Sequence, residues 1–182
     1  MSEFSNPAAT GAADAAEYTA SLLRLLGERD PLEVMRETPQ RLSAAITDVP
    51  ADRLGKPEAA GKWSIRDVVQ HLADSELNGS IRFRMVLAHD RPPLIGYDQD
   101  LWAQRLHYSE SNVDEALAEF TSLRRANLRL FERASDADRA RVGIHSERGE
   151  ESLGHMMKLY AAHDLVHLRQ IARIKGVVGS GG

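Results

Sequence analysis

The chain has 182 residues, 42% hydrophobic and 27% charged, with a formal net charge of -4. These values fit one globular domain with a sizeable core, and the acidic balance argues against nucleic acid as the main partner. With no cysteine, disulfides and thiolate metal ligands are excluded, so a metal site must use His, Asp, Glu, backbone or water.

No apolar run has the length of a membrane span. The start, Met1-Ser-Glu-Phe-Ser-Asn-Pro, has neither the basic nor the apolar region of a secretory signal. The chain therefore reads as cytoplasmic. Residues 1–13 are small and polar without periodicity and are expected to be disordered. Gly179-Ser-Gly-Gly reads as a flexible tail covering 179–182. Residues 14–178 contain no linker, repeat or low-complexity block, so they form one domain.

A first helical region starts near Asp14, with Tyr18, Leu22, Leu25 and Leu26 on its apolar face. Asp30-Pro31 reads as an N-cap followed by proline at the first helical position. Thr38-Pro39 reads as a second restart, and the pattern runs on to Pro50. The next helix has a clearer start: Ser64 caps it and Asp67 adds negative charge to the first turn. Its apolar face holds Ile65, Val68, Val69, Leu72, Phe83, Val86 and Leu87, and it ends near Ala88, before Asp90-Arg91-Pro92-Pro93.

From Pro92 to Ser111 the chain is loop-like but carries Tyr97, Trp102, His107 and Tyr108, with a short helix allowed over Asp98–Arg105. Such aromatic surface on a loop is expected to cover a pocket mouth. Ser111 reads as the cap of a third helix, whose core face includes Val113, Ala116, Leu117, Phe120, Leu123, Leu130, Phe131 and Ala134. Asp136–Gly149 reads as a charged loop, and Ser152 opens the last helix. Four helical regions of about 20 residues without a strand pattern imply an all-α, antiparallel four-helix bundle.

The chemistry centres on that last helix. At about 100° per residue, Leu153, Met156, Met157, Tyr160, Leu168, Ile171 and Ile174 share one broad face, and His163 and His167 fall within it. Imidazoles at i and i+4 point the same way, and burying two without partners is costly. A divalent metal ion is the favoured partner, since neutral imidazole is its commonest protein ligand. The bland alternative is a pair of satisfied core histidines.

A third ligand has to come from another helix, and His71, bordering the core face of the second one, is the best candidate. His89, His107, His145 and His155 read as surface residues. Three histidines leave coordination positions open, as catalytic sites require. Zn, Ni and Fe all accept imidazole, so the ligand set does not select the metal. Glu76 and Asp164 face the core and are candidates to accept histidine N–H groups. Salt bridges to Arg82 or Arg84 are the competing reading. Arg82 is a candidate anchor for a substrate carboxylate. Tyr97 and Trp102 are candidate substrate contacts, and so is Tyr160, although its first reading is core packing.

The run Gly61-Lys-Trp-Ser-Ile-Arg-Asp-Val-Val-Gln-His-Leu-Ala-Asp-Ser-Glu76 resembles the second-helix signature of the DinB-like superfamily. Glu37-Thr-Pro39 with Arg41-Leu42, and the later His163-x3-His167, are similar to its other landmarks. Tyr97-Asp98, Trp102-Ala103 and Tyr160-Ala-Ala-His163 resemble the YfiT subgroup, whose characterised members include bacillithiol transferases. The likeness spans about residues 14–176. It implies a four-helix bundle holding a metal ion on His71, His163 and His167. It also implies transfer of a low-molecular-weight thiol to an electrophilic small molecule, and homodimers. Other relatives are described as metal-dependent hydrolases, and a binding or stress-response role without turnover is the non-enzymatic alternative. Ala162, Val166 and Gln170 depart from the subgroup's pattern.

Overall fold

The structure, a computed structural model, describes residues 12–179. The expectations for residues 1–11 and 180–182 lie outside the described residues, while Ala12 and Ala13 already belong to the first helix. The helices are α1 (Ala12–Leu26), α2 (Pro31–Thr47), α3 (Ala51–Leu54), α4 (Ile65–Ala88), α5 (Gln99–Arg105), α6 (Val113–Arg133), α7 (Asp136–Ala140) and α8 (Leu153–Gly179). A 3-10 turn spans Tyr108–Glu110. Helices α2, α4, α6 and α8 form a four-helix bundle. In it α4 and α8 each pack on one another, α6 packs on α2 and α4, and α2 and α1 pack on α8.

The local signals account for most boundaries. Asp30 caps α2 by accepting from the Leu32 amide, with Pro31 at the first position. Ser64 and Asp67 form a reciprocal capping box at the start of α4, which satisfies amide groups that have no partner within the helix. Two boundaries differ from the sequence reading. Helix α6 is capped by Asn112, whose side chain accepts from the Asp114 and Glu115 amides, so the cap lies one residue beyond Ser111. Pro39 does not restart a helix: α2 runs through it from Pro31 to Thr47.

The expected absence of strands is also corrected. Pro93–Leu94 (β1), Val142–His145 (β2) and Gly149–Ser152 (β3) form a small sheet of order β1-β2-β3. Strand β1 runs parallel to β2, pairing Pro93 with Ile144, and β2 runs antiparallel to β3, pairing His145 with Gly149. Gly143 permits this closeness, since a Cβ there would lie 2.7 Å from the Leu94 side chain. Strands of two to four residues are too short to show alternation in the sequence.

The bundle core is split. One apolar cluster contains Leu26, Met35, Phe83, Leu128, Phe131, Met156 and Ala161. A second contains Leu42, Ile65, Leu72, Phe120, Leu168 and Ile174. Between them in sequence on α2, α4 and α6 lie the buried polar residues Thr38, Glu76, Ser80, Arg124 and Asn127, and α8 adds the buried Asp164. Helix α8 is buried on more than the one expected face, because α1 and α2 cover it from one side and α4 from another.

Candidate metal centre

The seventh residue of α4 and the eleventh and fifteenth of α8 bring three imidazoles together. Nε2 of His163 lies 3.1 Å from Nε2 of His71 and 3.0 Å from Nε2 of His167. One ligating atom from each lies within 4.8 Å of the others. His71 and His167 are buried and His163 is partly so. Trp63, just ahead of the α4 cap, packs on His71 with ring centroids 4.8 Å apart and stacks at 6.5 Å on His167.

Burial holds all three rings neutral. The proton affinity of His71 is pushed well below the usual histidine range, by burial first and then by His167 and His163. That of His167 is also well below the range, through burial and then His163, with the Gln170 hydrogen bond pulling slightly the other way. His163 is lowered to about 4 by burial and by the Arg124 charge. Neutral imidazole is the ligating form.

The hydrogen bonds point to the same assignment. Nδ1 of His167 lies 2.8 Å from Oε1 of Gln170, and a carbonyl oxygen can only accept there. The proton is therefore assigned to Nδ1, and the lone pair is on Nε2, facing the other two rings. The Nε2 of His163 touches those of both other rings, and three such atoms, one of them already without a proton, cannot all be satisfied by one another. A cation with nitrogen affinity satisfies them together, so the residues fit a divalent metal.

A cavity opens beside these rings. His71, His163, Ser75, Arg82, Tyr97, Tyr160, Arg148 and Glu151 line it, together with Tyr18 and Met156. Arg82 is only 8% exposed. Its Nη2 donates to the Ile95 carbonyl, its Nε is buried without a partner among the described residues, and none of their carboxylates lies within ion-pair distance. Arg148, in the β2–β3 turn, is held bidentately by Glu151 at 2.6 and 3.0 Å. Burial raises the Tyr97 and Tyr160 hydroxyls above the ordinary tyrosine range and lifts Tyr18 to about 12. These hydroxyls keep their protons at neutral pH. Tyr97 reaches the cavity, whereas Trp102 packs on Tyr97, with ring centroids 4.2 Å apart.

Glu76 and Asp164 are not bonded to the histidines, nor do they pair with Arg82 or Arg84. Both pair with Arg124, a fully buried residue of α6 that the sequence reading did not single out. Its Nε and Nη2 donate to Glu76 at 3.0 and 2.8 Å, and Nη1 and Nη2 donate to Asp164 at 2.5 and 3.0 Å. Nη1 also donates to the Met35 carbonyl at 3.1 Å. All five N–H groups of the guanidinium are thus used. Asn127 Nδ2 joins the cluster by donating to Glu76 and to Ser80 Oγ, each at 2.7 Å. A signal was available: Arg124 and Asn127 lie four and seven residues beyond Phe120, in phase with the core stripe.

Of the other histidines, His89 and His107 are exposed and His155 is half-buried. His145 is a correction, since it is buried on β2 rather than at the surface. Burial and the neighbouring Arg148 lower it to about 4. The Glu147 amide donates to its Nδ1 at 3.1 Å.

Comparison with known proteins agrees with this architecture. Residues 35–171 match the model of the DinB superfamily. Proteins of Bacillus mycoides (strain KBAB4) and Bacillus cereus (strain B4264), each named "Putative metal-dependent hydrolase", are 31% identical over 144 residues, covering 79% of this chain and 83% of theirs. The solved structure of YfiT from Bacillus subtilis is described as "a probable metal-dependent hydrolase with an unusual four-helix bundle topology". It superposes with a TM-score of 0.75 at 25% identity, over 90% of this chain and 89% of that one. With the family's pattern running through all four bundle helices and the same fold in YfiT, the chain belongs to the DinB superfamily.

Proposed function

We propose that this protein is a metal-dependent transferase that joins a low-molecular-weight thiol to an electrophilic small molecule. His71, His163 and His167 would hold the ion through Nε2. A divalent ion in such a site supplies an activated nucleophile at neutral pH by lowering the pKa of a bound thiol or water. Arg82 binds an anionic group of the thiol cosubstrate, and the protonated hydroxyls of Tyr97 and Tyr160 donate hydrogen bonds to the polar atoms of the electrophile. In the reaction the sulfur forms a bond to the electrophilic carbon, the leaving group departs with its electron pair, and the thiol proton is released.

The observation that carries this reading is the state of Arg82. A buried guanidinium with no carboxylate partner is expensive. It lines the same cavity as His71 and His163, and in this reading its fixed positive charge would stand beside the nucleophile. A carboxylate-bearing cosubstrate offsets that cost by a bidentate pair.

The names of the relatives favour a second reading, in which activated water hydrolyses an ester or amide. A screen of metal-loaded protein separates the two. Metal-dependent conjugation of a thiol such as bacillithiol or glutathione to monochlorobimane, weakened in Arg82→Ala mainly through the KM for the thiol, supports the transferase. Ester or amide turnover without thiol supports hydrolysis. No metal-dependent turnover across the screen rejects both and leaves a binding role.

A further inference from the structure

We propose that Pro39 and Arg124 act as one positioning device for the three-histidine site: Pro39 releases the Met35 carbonyl from the α2 ladder, and Arg124 takes it up while holding Glu76 and Asp164. The proposal rests on the three histidines being a metal site, and it concerns how their relative placement is fixed.

In an α-helix the amide of residue 39 would bond to the carbonyl of residue 35. Proline has no amide hydrogen, and inside a helix it is among the most costly residues. Here α2 continues through Pro39 without ending. The carbonyl it frees lies in the dry interior, where Met35 is fully buried, so it must find another donor. Arg124 supplies that donor at 3.1 Å.

The same guanidinium is the cross-brace of the site. Glu76 lies five residues after His71 on α4, and Asp164 lies next to His163 on α8. Arg124 holds both carboxylates with four hydrogen bonds. A fork of five fixed directions allows one orientation when all five are occupied. The Met35 carbonyl is the only one of the three acceptors that lies on α2 and belongs to neither ligand helix. It anchors the plane of the fork, and through it the relative register of α4 and α8. Pro39 and Arg124 are positioning residues, since neither touches the imidazoles.

Pro39→Ala and Pro39→Gly each restore an amide hydrogen that can reclaim the Met35 carbonyl, while their helix propensities lie far apart. Both leave the buried charges in place, and circular dichroism checks that each variant folds. Calorimetric titration of metal-free protein with Zn(II) is expected to show an affinity about tenfold weaker in both variants, the lower end of the range for a group that orients a ligand. The thermal midpoint of metal-free Pro39→Ala is expected at or above the native value. A metal-independent reading comes from long-range proton–nitrogen spectra of the imidazoles, where the ring nitrogens of His71, His163 and His167 are expected to shift in both variants. Native affinity in both variants overturns the proposal, as does a loss that follows helix propensity and appears only with glycine. If the native chain itself takes up no Zn(II), the metal reading fails. The spectra then decide this proposal alone, with shifts in both variants supporting it and unchanged rings overturning it.

Discussion

Oε1 of Gln170 lies 2.8 Å from Nδ1 of His167, three residues earlier on the same helix. That contact assigns the His167 proton to Nδ1 and leaves Nε2 free to ligate. Replacing Gln170 by Ala removes the orienting acceptor, and Zn(II) affinity is expected to fall by about tenfold. Gln170→Glu keeps an acceptor at this position and is expected to restore binding to the native level or above it. Calorimetric titration of the three proteins checks both expectations.

Arg124 has a second, larger role in stability. Substituting Met removes the one cation that pairs with Glu76 and Asp164 among the described residues and leaves two buried carboxylates without it. Breaking such a network costs on the order of 3–5 kcal/mol. Urea unfolding is expected to show a loss in that range. The triple variant Arg124→Met, Glu76→Gln, Asp164→Asn is expected to recover part of it, because no unpaired charge remains.

Gly79 sets the position of the Tyr160 ring in the cavity. A Cβ at residue 79 would lie 2.6 to 2.7 Å from Cε1, Cζ and the hydroxyl oxygen of Tyr160, which is closer than atoms can approach. Gly79→Ala is therefore expected to push the ring aside and to cost about 1–3 kcal/mol, read as a lower thermal midpoint. Combining it with Tyr160→Leu, which withdraws the ring, is expected to relieve most of the loss.

The buried histidines predict how metal-free protein responds to acid. His163 and His145 are lowered from 6.5 to about 4 by burial and neighbouring arginines, and burial holds His71 and His167 well below the ordinary histidine range as well. Above pH 6.5 these groups are neutral in both folded and unfolded chains and contribute nothing to the pH dependence. As the pH falls below 6.5 the unfolded chain takes up protons that the folded one refuses, so stability declines toward pH 4. Each such proton contributes a slope of about 1.4 kcal/mol per pH unit. Denaturant unfolding between pH 8 and 4 is expected to be level above pH 7 and to fall steeply below 6.5. A level profile down to pH 5 would contradict the neutral, buried state of these rings.

The long-range organisation was legible where periodicity runs over several turns. Ser64 and the α4 stripe placed His71, and the α8 stripe placed His163 and His167 on an inward face. Residues whose meaning depends on a partner far along the chain were not legible. Pro39 reads locally as a restart, and the donor for the Met35 carbonyl left without the residue-39 amide, Arg124, stands 85 residues later. Glu76 and Asp164 were recognised as core-facing, but their partner sat on a helix whose stripe was read from apolar residues alone. The β2–β3 hairpin, which brings Arg148 and Glu151 to the cavity, is too short to leave a pattern.

The central claim is that His71, His163 and His167 together hold one divalent ion. Metal analysis after loading with Zn(II) and dialysis tests it most directly, on the native chain and on His71→Ala, with folding of each checked by circular dichroism. One ion per native chain, lost in the folded His71→Ala variant, is the predicted result. Undiminished metal content in that variant would contradict it.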